Sequence, residues 1–225
     1  MKNKTLLTIP FLLTVLVLLW SFAGMTAGSH TAHAAGPWYV APGGDDADDC
    51  LSWATACATL GGAISKASSG DTIYMAAGTY DDTNVFISKN LTIIGAGMDD
   101  TVLDGAADGR VMYISGSSVV SVSGLTVRNG SSQSGGGIYH IGDGLTLDGV
   151  RLTGNTASST GGGLYAAGPL TMTNSIVDHN QAASNDGGGI YLNTTSAVLI
   201  ENTAIYSNTA GYRGCLLYTS PSPRD

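Results

Sequence analysis

A triple glycine returns at a fixed interval of 26 residues, at Gly135-Gly136-Gly137, Gly161-Gly162-Gly163 and Gly187-Gly188-Gly189. Each triplet precedes an aliphatic residue and a tyrosine, Ile138-Tyr139, Leu164-Tyr165 and Ile190-Tyr191, and one period upstream stands Met112-Tyr113. A unit this short cannot enclose a core of its own, so a protein that repeats it must stack each copy on the next.

The remainder of the unit shows what is stacked. Leu145-Thr-Leu-Asp-Gly-Val-Arg-Leu-Thr-Gly-Asn155 aligns with Leu170-Thr-Met-Thr-Asn-Ser-Ile-Val-Asp-His-Asn180 and with Val198-Leu-Ile-Glu-Asn-Thr-Ala-Ile-Tyr-Ser-Asn208, and a weaker copy runs from Val120 to Gly130. Apolar residues alternate over short runs broken by Gly, Asn, Asp and Ser, the pattern of strands and turns. The fold class expected is all-β, a parallel β-helix (solenoid) in which each unit is one coil and each strand pairs with its equivalent in the next. Three inward columns follow: Leu145, Leu170 and Val198; Leu147, Met172 and Ile200; Leu152, Val177 and Ile205. Asn155, Asn180 and Asn208 are expected to form a corner ladder of amides, with asparagine and glycine supplying the left-handed backbone that sharp corners need. Alternation points Tyr113, Tyr139, Tyr165 and Tyr191 outward, either as a possible glycan-binding stripe or as a ladder that only covers the sheet.

Both ends differ in texture. Lys2 and Lys4, the apolar run Leu6–Leu19 and Ala32-His33-Ala34 read as a signal peptide over residues 1–34, with a retained anchor as the other reading. Residues 35–70 hold Cys50 and Cys57, expected as a small disulfide loop or as two buried thiols, and then a helix over 57–69. That short N-terminal helix, with Leu60, Ala63, Ile64 and Ala67 on one face, would cap the open end of the solenoid. The β-helix repeats are assigned to residues 71–214. Residues 215–225 read as in-frame translation of a sequencing-library adapter, without structure, so that the natural sequence is expected to be truncated at its C-terminal end.

Asp71-Thr-Ile-Tyr-Met-Ala-Ala-Gly-Thr-Tyr80 followed by Asn90-Leu-Thr-Ile-Ile-Gly-Ala-Gly97 resembles the opening turns of pectate-lyase-like right-handed β-helix proteins. The Gly-Gly-Gly-Ile-Tyr and Asn-Thr-Ala units are similar to repeats of polymorphic outer membrane proteins, although those more often carry two glycines and an alanine. The resemblance spans residues 71–214 and implies a right-handed coil. It implies no single activity, since lyases, hydrolases, tailspikes and adhesins share this architecture.

Charge narrows the partners. Between Ala35 and Gly214 six Lys and Arg stand against sixteen Asp and Glu, a balance of −10, which argues against nucleic acid as a partner, since a phosphate-binding face needs clustered Lys and Arg. Catalysis on such a coil needs unlike groups converging where the repeat is interrupted. The aligned outer column holds Arg128, Thr153, Asp178 and Tyr206, and Asp178 with His179 is the one local pairing suited to acid–base work, a solvated turn being the plain alternative. Asp104, Asp108, Asp148 and Arg151 read as scattered, exposed positions. Asp45, Asp46, Asp48 and Asp49 form an acidic cluster, either a calcium site or a solvated loop. No other cofactor is expected. Two functions stay open: a non-catalytic secreted or cell-surface protein, outer membrane included, binding cells or polysaccharide and held at the membrane only through a segment beyond Gly214; or a polysaccharide lyase or glycoside hydrolase whose catalytic turns lie beyond it.

Overall fold

The computed structural model describes residues 36–214 and, as backbone, 217–219. The polypeptide winds through three parallel sheets of 11, six and four strands. One turn shows the plan: Ile138–His140 lies in the six-stranded sheet, Gly144–Thr153 in the 11-stranded sheet and Thr156–Thr160 in the four-stranded sheet, after which Leu164–Ala166 arrives directly over Ile138–His140. Within Gly144–Thr153 the inward residues Leu145, Leu147, Val150 and Leu152 are buried, and the two pairs are brought into one phase by a bend at Gly149, whose φ is 60°.

The three expected columns are in register. Leu145 pairs with Leu170 and then Val198, Leu147 with Met172 and Ile200, and Leu152 with Val177 and Ile205. Leu145, Leu170, Leu147, Met172, Leu152 and Val177 join Ile73, Ile93 and Val122 from earlier turns in one apolar cluster running along the coil, with Ile200 and Ile205 packed against it partly buried, whereas Val198, expected to point inward, is exposed. Full burial of each such side chain is worth about 1.5–3 kcal/mol, so successive coils hold one another.

Three corners close each turn. At the first, Asn155, Asn180 and Asn208 form the ladder: the Asn155 Nδ2 donates to Asn180 Oδ1 at 3.0 Å, the Asn180 Nδ2 to Asn208 Oδ1 at 3.0 Å, and each Nδ2 also donates to a carbonyl of the preceding coil, Val127 and Leu152 respectively. The left-handed backbone, however, falls one residue earlier than expected, on Asn129, Gly154, His179 and Ser207, while the ladder asparagines themselves keep negative φ. The reason is geometric: the residue that turns the backbone points outward, and the next one then points in and stacks. At the third corner the glycines divide the work. Gly161 has φ 63°, whereas Gly162 and Gly163 are needed for space: a Cβ on Gly163 would lie 2.8 Å from the Gly189 carbonyl and 3.0 Å from the Asn180 amide carbon.

The N-terminal region departs from expectation in two ways. Sheet formation starts at Trp38–Val40, which pairs in parallel with Ile73–Met75, so the boundary placed at residue 71 moves forward and the segment 35–70 contributes the first strand. The helix is Leu60–Lys66 alone; Thr59 Oγ1 accepts from Gly62 N, and Leu60, Ala63 and Ile64 are buried. Between strand and helix, Cys50 and Cys57 are joined in a disulfide, and Cys57 forms a parallel bridge with Val40. At the other end, the expectation that residues 215–225 carry no structure is corrected at Leu217–Thr219, whose backbone pairs with Ile190–Leu192. The segment read as a signal peptide lies outside the described residues.

Candidate functional site

The coil presents its outward residues in rows, and the tyrosines form the most regular one. Tyr113, Tyr139, Tyr165 and Tyr191 are partners in register on the six-stranded sheet, each half-buried between inward neighbours. Their ring centres lie 5.4, 4.6 and 5.4 Å apart; the Tyr139 and Tyr165 planes differ by 7° and those of Tyr165 and Tyr191 by 15°. The Tyr139, Tyr165 and Tyr191 rings, stacked this way, cover one another's faces, which are the surfaces a sugar would otherwise lie against, whereas Tyr113 is tilted 53° to Tyr139. Two residues without a signal in the repeat complete the row. Phe86 precedes Tyr113 at 5.5 Å, and the Arg110 guanidinium lies 4.7 Å over the Tyr139 ring while donating to the Ser134 and Gly135 carbonyls and to Ser132 Oγ. Burial, then the Tyr165 and Tyr113 hydroxyls, pushes the Tyr139 phenol above its ordinary range.

Asp178 is not in a solvated turn. Its carboxylate is fully buried; the Arg151 Nε and Nη2 donate to its two oxygens at 2.9 and 2.7 Å, and the His179 Nδ1–H donates at 2.7 Å. Burial raises the carboxyl's pKa, but the bonds from Arg151 and His179 outweigh it and hold the group below the usual carboxylate range. His179 is itself exposed, with φ 55° at the corner and the Tyr206 ring 6.3 Å away. A similar pairing occurs in earlier turns, where Arg128 Nε donates to Asp104 at 2.7 Å and Asn129 Nδ2 donates to both Asp104 oxygens. Asp104, paired with Arg128, and Arg151, paired with Asp178, are therefore structural groups and not scattered exposed ones, while Asp148 is exposed and accepts from Thr173 and Asn174. Beside Asp104 opens a polar cleft of about 480 Å³ lined by Asp81, Asn129, Ser131 and Thr156.

The acidic cluster near the disulfide does not converge. Asp46 accepts from Ala58 N, Thr59 N and Thr59 Oγ1, anchoring the start of the helix; Asp45 accepts from Ala47 N, and Asp49 from Leu51 N and Thr55 Oγ1. Among the described residues no three His, Cys, Asp or Glu side chains come together in a group that could hold a metal ion.

The family described as the right-handed β-helix region matches residues 110–223 of the 225. The protein belongs to that family. No curated protein matches it. Membership in the β-helix family accounts for the coil and its hand, and the match begins at Arg110, where the tyrosine row and the glycine triplets take over.

Two further groups of this β-helix protein are not legible from the repeat. His140 occupies an inward position between Ile114 and Ala166 and is buried; its Nδ1 accepts from Gly142 N and its Nε2–H donates to the Pro169 carbonyl at 3.1 Å, and burial lowers its pKa. Its one signal is a polar residue in an otherwise aliphatic column. Trp53, on the disulfide loop, has 53% of its surface exposed and meets the Tyr39 ring edge-on at 4.7 Å. It lies outside the repeat, where column alignment carries no information.

Proposed function

We propose that this β-helix protein is a non-catalytic binding protein of the cell exterior, secreted or held at the surface, that binds polysaccharide or a cell-surface ligand along a lateral face of its coil. The observation that carries this reading is the row-on-row repetition of like outward side chains over successive turns, which presents the same small set of groups again and again, as a polymer of repeated units requires. The residues 1–34 as an export signal support the location; among the described residues no helix is long and apolar enough to cross a membrane. The balance of −10 between Ala35 and Gly214 argues against nucleic acid as the partner. A glycan array probed with the whole protein is expected to show binding to polysaccharide-type ligands with no turnover; an array without signal, together with polymer-cleaving or eliminase activity on uronates, would reverse the reading.

One observation favours a second reading, acid–base chemistry on a glycan. The imidazole of His179 is oriented by a buried, Arg151-bound carboxylate and keeps Nε2 toward solvent. If this pair is catalytic, His179→Ala abolishes any glycan-cleaving activity of the protein, with circular dichroism at the assay temperature showing that the variant is still folded although it has lost a bond to the buried Asp178.

A further inference from the structure

We propose that the outer face of the 11-stranded sheet is a track for a neutral, extended glycan, anchored at one end on the aromatic platform of Trp53, Tyr39 and Tyr74. This rests on the reading of the protein as a polysaccharide binder and assigns the binding to a face other than the tyrosine row.

The platform continues the sheet. Tyr39 and Tyr74 are partners in register, 5.9 Å apart and near-parallel, and Trp53 closes the row from the disulfide loop. Unlike the four half-buried tyrosines of the other row, these leave apolar surface open: Trp53 is 53% and Tyr74 36% exposed, and only Phe86, at the end of the tyrosine row, matches them at 53%. The loop that carries Trp53 is fixed by the Cys50–Cys57 bond and by Thr55 Oγ1 donating to Asp49 and lying 2.9 Å from Ser52 Oγ, so little freedom remains to be lost on binding.

Beside the row of Tyr39 and Tyr74, two residues away along the same strands, runs a lane of hydroxyls. Thr72, Thr92, Ser121, Thr146 and Thr171 are successive register partners on the outward side, one per coil, and none of them hydrogen-bonds another side chain among the described residues. Coils stack about 4.8 Å apart, comparable to the advance of one residue along an extended sugar polymer, so a glycan lying along the axis meets one hydroxyl per sugar. A repeated hydroxyl lane beside exposed ring faces is the chemistry of sugar recognition, with apolar sugar faces on the rings and hydroxyls on hydroxyls. It is too polar for the apolar centre of a protein interface.

Charge chooses between neutral and anionic polymers. The arginines of this sheet, Arg128 and Arg151, are already held by Asp104 and Asp178, while Asp148 and Glu201 face outward on the row that leads from Tyr74. A uronate polymer would meet repulsion without a cation to offset it.

Titration calorimetry of the whole protein with cellohexaose and with hexagalacturonate tests this. Cellohexaose is expected to bind at least tenfold more tightly than hexagalacturonate; Trp53→Ala weakens it about tenfold, Trp53→Phe restores most of the loss, and Thr146→Val with Thr171→Val weakens it several-fold, while Tyr165→Ala leaves it unchanged. Thermal unfolding of each variant separates loss of binding from loss of fold. Cellohexaose binding that survives Trp53→Ala but is lost in Tyr165→Ala overturns the track and leaves the polysaccharide reading standing, as does a preference for hexagalacturonate. Binding of neither sugar overturns the track, and only a glycan array that is silent as well removes the broader reading.

Discussion

Asp178 and Asp82 are two buried carboxylates whose surroundings push them in opposite directions. Asp178 is held ionised by Arg151 and His179, so its folded pKa lies below its unfolded value of about 3.9. Its stabilisation is complete above that unfolded value and is lost as pH falls through the folded one. Asp178→Asn is accordingly expected to destabilise the protein by about 2 kcal/mol at pH 7, in urea unfolding, because it strands the Arg151 guanidinium, and the gap to the parent narrows in strong acid. Asp82 is buried where its carboxylate accepts from Leu60 N; burial, with Asp46 and Asp81 nearby, raises its pKa despite that bond. Its contribution is fully present below the unfolded pKa and is lost as pH rises through the raised folded value. Asp82→Asn should therefore be more stable than the parent at pH 7 and equal to it near the unfolded carboxyl pKa, as measured by unfolding at both pH values. The Asp178 pairing is half legible in the sequence: its column can be read from the repeat, but its partner, Arg151, sits in the neighbouring column one coil back. Alignment of like positions does not reveal a diagonal contact.

Corner and strand depend on one another through the asparagine ladder and the glycine triplets. Asn180 Nδ2 serves both Leu152 O and Asn208 Oδ1, and its Oδ1 accepts from Asn155, all without solvent. Asn180→Ala leaves several buried groups unpaired and is expected to cost about 3 kcal/mol in denaturant unfolding, a larger loss than removal of a solvated corner side chain. Gly137 and Gly163, the third glycines of the first two triplets, lie against that ladder, so Gly163→Ala should cost about 2 kcal/mol by overpacking although its φ is ordinary; a neutral result would mean that the corner has room to spare. Strands, columns and the ladder can be read from spacing because like stacks on like. The left-handed positions fall one residue away from the expected ones, since composition marks a corner without saying which residue turns. Trp38–Val40 stays hidden in the sequence because a strand of three residues paired with one 35 positions away has no period to announce it.

Across the whole molecule, a 26-residue period in a few glycines and tyrosines is enough to define the coil, because a repeat that cannot bury itself has few ways to become stable. The same regularity hides the function: every turn satisfies the same packing rules, and the groups that distinguish one face from another, Trp53 on its loop and the hydroxyl lane among them, are chosen by what they leave exposed. Core, corner ladder and outward rows all require that residues one coil apart lie directly over each other. A crystal structure of the protein measures this most directly. Tyr139, Tyr165 and Tyr191 are expected in one row on one parallel sheet, their Cα atoms spaced about 4.8 Å; finding them on different faces, or in antiparallel strands, would contradict the coil and everything built on it.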